Sequence, residues 1–208
     1  MEEIKNYKEF LKRIEELKQE PKKKILIHAC CGPCSSEVID FLKDIFDITI
    51  YYYNPNIYPE LEYDKRYDQF KLLPYDFDII KGKYEDDKYY EAIKGYEDLG
   101  EFSKRCYKCF YFRLEECAKK AKVLNFDYFT TTLSISPYKN SIWINEIGYE
   151  ISKKYGIDYL YSDFKKQEGY KKSIELSKKY KLYRQEYCGC IYSYKEAKIK
   201  ENKDLYES

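Results

Sequence analysis

The stretch at 24–36, KILIHACCGPCSS, constrains the fold of this chain more than any other. Ile25, Leu26 and Ile27 form an apolar run that suits a buried strand. The chain's only histidine, His28, follows it, and then Cys30, Cys31 and Cys34 fall in a tight turn. Beyond Pro33 the residues read as a helix, with Val38, Leu42 and Ile45 on one face. A strand that runs through such a turn into a helix puts the three thiols at the carboxyl edge of a sheet, where open α/β sheets bind ligands. A helix N-terminus there also favours thiolate over thiol.

The remaining periodicity predicts strands and helices in alternation. Residues 3–19 fit an amphipathic helix with Ile4, Tyr7, Leu11, Ile14 and Leu17 on one face, ended by Pro21. Strands are expected at 47–53, 76–80, 127–136 and 157–163, the one at 127–136 closed by Pro137. Helices are expected over 60–71, around Tyr89, Ile93 and Tyr96, and after Cys109 along Leu114, Cys117, Ala118 and Ala121. Two more are expected through Ile144, Ile147 and Ile151, and over 167–180. Such alternation predicts a parallel sheet with crossover helices.

At 208 residues the chain fits one α/β domain,. It divides into an N-terminal helix at 1–22, a core at 23–193 and a tail at 194–208. Net charge is +1, so overall charge gives no argument for nucleic acid. Charge is uneven, however: 44–101 holds 15 acidic and 7 basic residues, and 165–200 holds 11 basic and 4 acidic ones. A basic C-terminal third suits a phosphate backbone, or equally a solvated helix face. No run is long and apolar enough to span a membrane, and 1–24 has no apolar signal region. A cytoplasmic location is expected.

Eight cysteines in a reducing compartment point to metal or redox chemistry before structural disulfides,. Cys117, on an apolar helical stripe, reads as a small buried hydrophobe. The other seven form three groups: Cys30, Cys31 and Cys34; Cys106 and Cys109; Cys188 and Cys190. Cys31-Gly32-Pro33-Cys34 alone has the layout of a thioredoxin-like dithiol. Cys106, Cys109, Cys188 and Cys190 alone suit structural zinc in an RNA-binding module. An iron–sulfur cluster takes four thiolates and leaves three for a second soft metal. Spacing does not choose among these. His28 is placed either to contact this site or a substrate, or to serve as hydrogen-bonded structure.

Several segments, in order, resemble the QueH-type epoxyqueuosine reductases: HACCGPCS at 28–35, YNPNIYPELEYDKR at 53–66, CYKC at 106–109, TTTLSISPYKN at 130–140, and DFKKQEGYKKSIELSKKYKLYRQEYCGCIYS at 163–193. The resemblance implies an α/β fold with a Rossmann-like parallel sheet, of the adenine-nucleotide α-hydrolase or HUP kind. Helices flank that sheet, and the second half is helical and bears cysteines. It also implies reduction of the epoxide of epoxyqueuosine to queuosine at the wobble position of tRNA, with an external electron donor. The implied cofactors are a 4Fe–4S cluster and an adjacent second metal ion, iron. Removing the epoxide oxygen to leave an alkene takes two electrons and two protons. A Lewis-acidic metal beside the cluster weakens the C–O bond.

On that footing, Cys30, Cys106, Cys109 and Cys188 are expected on the cluster, and Cys31, Cys34 and Cys190 on the second metal. Asn54 and Asn56, at the end of the second strand, are expected to meet the base or ribose, or only to cap a turn. Arg66, Lys139 and Arg184 are candidates for phosphate or hydroxyl contacts. Ser134, Ser136 and Tyr138 are expected to line the pocket. Tyr53, Tyr138 and Tyr187 are candidates for stacking on a splayed anticodon base.

Overall fold

Apolar runs flanked by helices build the sheet. The computed structural model describes residues 3–206, with side-chain surroundings over 3–200. Residues 1–2 and 207–208 of the expected helix and tail lie outside the described residues. The strands are β1 (Lys23–His28), β2 (Phe46–Tyr52), β3 (Asp78–Lys81), β4 (Tyr128–Thr131) and β5 (Asp158–Tyr159). They form one sheet in the order β3-β2-β1-β4-β5, every pairing parallel. The order reverses between β1 and β4, and doubly wound sheets open a crevice at that point.

Alternating side chains bury both faces. Ile25, Ile27, Ile48, Ile50 and Tyr52 join one core, under α1 (Tyr7–Leu17) and α2 (Gly32–Leu42). Leu26, Tyr51 and Phe129 join the other, under α5 (Lys104–Val123) and α6 (Ser141–Tyr155). In α1 the cap is Asn6, whose side chain accepts from the backbone N–H groups of Lys8 and Glu9,. Cys31 caps α2 in extended conformation, with Pro33 in the first turn,. The remaining helices are α3 (Glu60–Asp68), α4 (Asp86–Ala92), α7 (Gly169–Lys179) and α8 (Ile191–Tyr206). Among the described residues no helix is long and apolar enough to cross a membrane.

Four elements differ from their expected extents, and the first is α4, which ends at Ala92 with Ile93 and Tyr96 beyond it. β4 stops at Thr131, and Thr132–Ile135 is a 3-10 turn. The Thr131 hydroxyl accepts from Leu133 N (3.1 Å), and β5 pairs only with Tyr128 and Phe129. β5 itself is two residues long. Past it, the Thr130 hydroxyl donates to Leu160 O (2.8 Å), and Ser162 N donates to Asn145 Oδ1 (2.9 Å). Side chains thus take over from the ladder. α5 begins at Lys104, capped by the Ser103 side chain, so Cys106 and Cys109 lie inside its first turns, where a helix was expected only after them.

Candidate metal centre

Four segments meet at the carboxyl edge of β1 and β4. The β1–α2 turn brings Cys30, Cys31 and Cys34 together, their sulfurs within 4.8 Å of one another. The Sγ atoms of Cys30 and Cys31 are 3.9 Å apart, and no cysteine is in a disulfide. Hydrogen bonds from Cys31 and then Cys34 hold Cys30 well below the ordinary thiol range. The same bonds raise Cys34 and push Cys31 up to about 11.

The second set comes from α5 and the turn before α8. Cys109 and Cys190 pack in one buried group with Tyr89 and Ile93. Burial pushes Cys109 up to about 12, and the charges of Cys188 and Cys190 add to it. Cys106 is raised by burial and then by Cys188. Gly189 takes φ +132°, a conformation that favours glycine, and this bends Cys188 and Cys190 back toward α5,. Ser193 ties the turn down: its hydroxyl donates to Cys190 O (2.9 Å) and accepts from Gly189 N (3.3 Å). The geometry therefore groups Cys30 with Cys31 and Cys34, and Cys190 with Cys109, whereas the expected partition set Cys30 and Cys190 the other way.

One cavity of about 390 Å³ opens on both sets, lined by Cys34, Cys106 and Cys188. Lys139 and Arg184 line it too, with Phe102, Tyr138 and Trp143 on its walls. Lys139 is half-buried. Burial opposes its charge, but the thiols of Cys188, Cys30 and Cys34 outweigh that and raise its pKa. Arg184 donates to Ser177 Oγ (2.9 Å) and Ser173 O (3.3 Å) of α7. Gln185 donates from Nε2 to Cys31 Sγ (3.3 Å). Ser136 and Tyr187 also line the cavity. Ser134 is buried behind it, its hydroxyl accepting from Phe164 N (3.4 Å). Tyr138 is 70% exposed, whereas Tyr53 is buried and stacked on Tyr51.

The other expected residues lie deeper. His28 is fully buried, its Nδ1 2.9 Å from the Thr131 hydroxyl. Arg113 Nε lies 3.3 Å from its Nε2. Nε2 also lies 3.3 Å from Tyr53 O, so the tautomer decides whether it accepts from Arg113 or donates to that carbonyl,. Burial, and then Arg113, lower the imidazole pKa to about 3, so the ring is neutral. Asn54 is buried between Ala29 O, to which it donates (2.8 Å), and Arg113 Nη2, from which it accepts (2.6 Å). Asn56 is buried with an unpartnered Oδ1. Arg66, expected at a phosphate, is instead fully buried. It pairs with Glu62 (2.7 Å) and donates to Cys188 O (3.1 Å) and Tyr187 O (3.3 Å). It therefore fastens the Cys188 turn to α3.

Arg113 is the residue that sequence reading passed over. It lies one helical turn beyond Cys109 and donates to that sulfur (3.8 Å). Its signal was present: Cys109, Arg113 and Cys117 recur four apart, which puts a guanidinium on the buried stripe of α5,.

One thiol from each of the three cysteine groups lines the cavity (Cys34, Cys106 and Cys188), and the triad to which Cys34 belongs contains no carboxylate; such a donor set fits a soft metal group and not magnesium or calcium,. Residues 25–196 match the family model described as Epoxyqueuosine reductase QueH. The chain is similar to the "Epoxyqueuosine reductase QueH" of Streptococcus pyogenes serotype M1, at 40% identity over 86% of this chain and 73% of the relative. It is also similar to the protein of that name from Thermotoga maritima, at 40% identity over 85% of this chain and 93% of the relative. A Staphylococcus aureus relative, likewise named, is 41% identical over 82% of this chain and 75% of its own length. The chain therefore belongs to the epoxyqueuosine reductase QueH family.

Proposed function

We propose that this chain reduces epoxyqueuosine to queuosine in tRNA, and that its seven clustered cysteines hold an iron–sulfur cluster and a separate metal ion. The observation that carries this reading is one cavity, at the switch point of the sheet, onto which three cysteine segments distant in sequence converge. Its volume suits a nucleoside-sized group. Cys106, Cys109, Cys188 and Cys190 are the four thiolates assigned to a 4Fe–4S cluster, and Cys30, Cys31 and Cys34 those assigned to the second ion, iron. Support for this division is the 4.8 Å grouping of the triad and the packing of Cys109 with Cys190. When bound, these groups supply electrons singly and Lewis acidity toward the epoxide.

The chain's own residues bind, orient and shield. Gln185 holds Cys31 in place, and Arg66 and Ser193 hold the Cys188–Cys190 turn. Lys139 keeps its ammonium protonated beside the thiols, which suits a contact to ribose or phosphate oxygen at the cavity wall. Arg184 flanks the same wall. Tyr138, Phe102 and Trp143 offer ring faces on which a splayed anticodon base can stack,. Asn54 and His28 act from behind, through Arg113 and the β1 edge, and Asn56 keeps a buried amide oxygen without a partner. The reaction consumes two electrons and two protons and yields the alkene and water. The electrons come from an external donor.

Anaerobically prepared protein, given dithionite and tRNA that carries epoxyqueuosine, tests the reading by mass spectrometry of the digested nucleosides. Conversion to a nucleoside one oxygen lighter supports it. Unchanged epoxyqueuosine with fully metal-loaded protein overturns it.

A further inference from the structure

Buried charges usually bring their own counter-charge. Arg66 follows that rule through Glu62. Arg113 does not. It is 2% exposed, and its donors face neutral His28, Asn54 and Cys109 Sγ. Among the described residues no carboxylate pairs with it. Burial opposes its charge, and what favours that charge is the sulfur of Cys109, then Cys30 and Cys188. Those three sulfurs belong to three different segments. Among its hydrogen-bond partners the Cys109 sulfur is the one that becomes anionic, once a metal displaces its proton,.

From this geometry we infer that Arg113 is the counter-cation of the thiolate set: a positioning residue that sets the reduction potential of the centre held there. The inference rests on the proposed iron–sulfur reading. Adding an electron makes a thiolate-bound cluster more negative, and a fixed positive charge alongside stabilises that reduced form. The other partners of Arg113 carry no carboxylate: the Asn54 amide oxygen accepts from Nη2 without neutralising the charge, and Nε faces His28 Nε2.

Three variants separate charge from shape. Arg113→Gln removes the charge and keeps polar contacts. Arg113→Lys keeps the charge and loses the fork. Asn54→Asp leaves Arg113 intact and places a carboxylate against it. Potentials are measured by dithionite titration of the anaerobic, metal-loaded protein, followed by absorbance and electron paramagnetic resonance. Arg113→Gln and Asn54→Asp are expected to shift the midpoint negative by a factor of ten or more in the one-electron equilibrium, about 59 mV. Arg113→Lys is expected to stay near wild type. Asn54→Asp keeps the test open if Arg113→Gln fails to fold. Wild-type potentials in both charge-altering variants, with iron content retained, overturn the inference alone. Wild-type protein that takes up zinc and shows no reducible centre overturns the reading beneath it.

Discussion

Replacing Gly189 by alanine strikes the turn that carries two of the thiols. At φ +132° an L-residue is strained, which costs about 1–3 kcal/mol. The added Cβ also meets Arg66 Nη1 at 3.0 Å and Ile57 Cγ1 at 3.2 Å. Arg66 cannot swing aside freely, because Glu62, Cys188 O and Tyr187 O hold it. Crowding against a fixed neighbour adds about 1 kcal/mol or more. The sum is about 2–4 kcal/mol, and for a chain of this size that lowers the melting temperature by roughly 4–16 °C. If the turn relaxes to relieve the strain, Cys188 and Cys190 move away from Cys109, and metal bound by the four-thiol set is lost first. Calorimetric melting with iron and sulfide analysis checks both effects. A variant that melts with wild type and binds the full metal complement would refute the claim that this turn positions the ligands.

Other substitutions separate the thiols by role. Cys117→Ala is expected to retain metal and turnover with a stability loss of about 1 kcal/mol, because that sulfur is buried against Leu26 O, and metal content with a thermal melt checks it. Cys106→Ala and Cys188→Ala are expected to lose both the brown cluster colour and activity, whereas Cys34→Ala keeps most of the colour and loses turnover. Absorbance beside an activity assay distinguishes these outcomes, and normal turnover in Cys34→Ala contradicts a second metal at the triad. Metal uptake should release protons, since Cys31 and Cys109 are raised to about 11 and about 12. A metal ion must displace those protons, so apparent affinity rises with pH and falls as pH drops through neutrality; a competition titration at several pH values that shows no such slope contradicts it.

Much of this site could be read before the coordinates, for physical reasons. An unbroken apolar run, a proline in the first turn of the next helix and thiols around it leave few choices for β1, α2 and the triad. The cysteine groups also named themselves, since seven thiols in three short clusters point to metal or redox chemistry,. Which thiol groups with which was less legible. Neighbouring residues of an extended segment ordinarily point apart, yet the sulfurs of Cys30 and Cys31 come within 3.9 Å of each other, and Cys190 packs with Cys109 beside the positive-φ bend at Gly189,. Thr130–Ile135 reads as strand because threonine and isoleucine favour it, yet the ladder runs out when β5 has only two residues to pair,. Arg66 and Arg113 mislead for a different reason. An arginine on a helix is usually solvated, and only its spacing from Glu62 or Cys109 betrays the buried partner.

The central claim is that three distant cysteine segments hold two separate metal groups at one cavity. Anomalous diffraction at the iron edge, from crystals of the anaerobically loaded protein, tests it most directly. The account predicts one strong cluster of iron scattering ringed by Cys106, Cys109, Cys188 and Cys190, and a second, single peak at Cys30, Cys31 and Cys34. A lone zinc among the four thiols, or no iron signal at the triad, contradicts it.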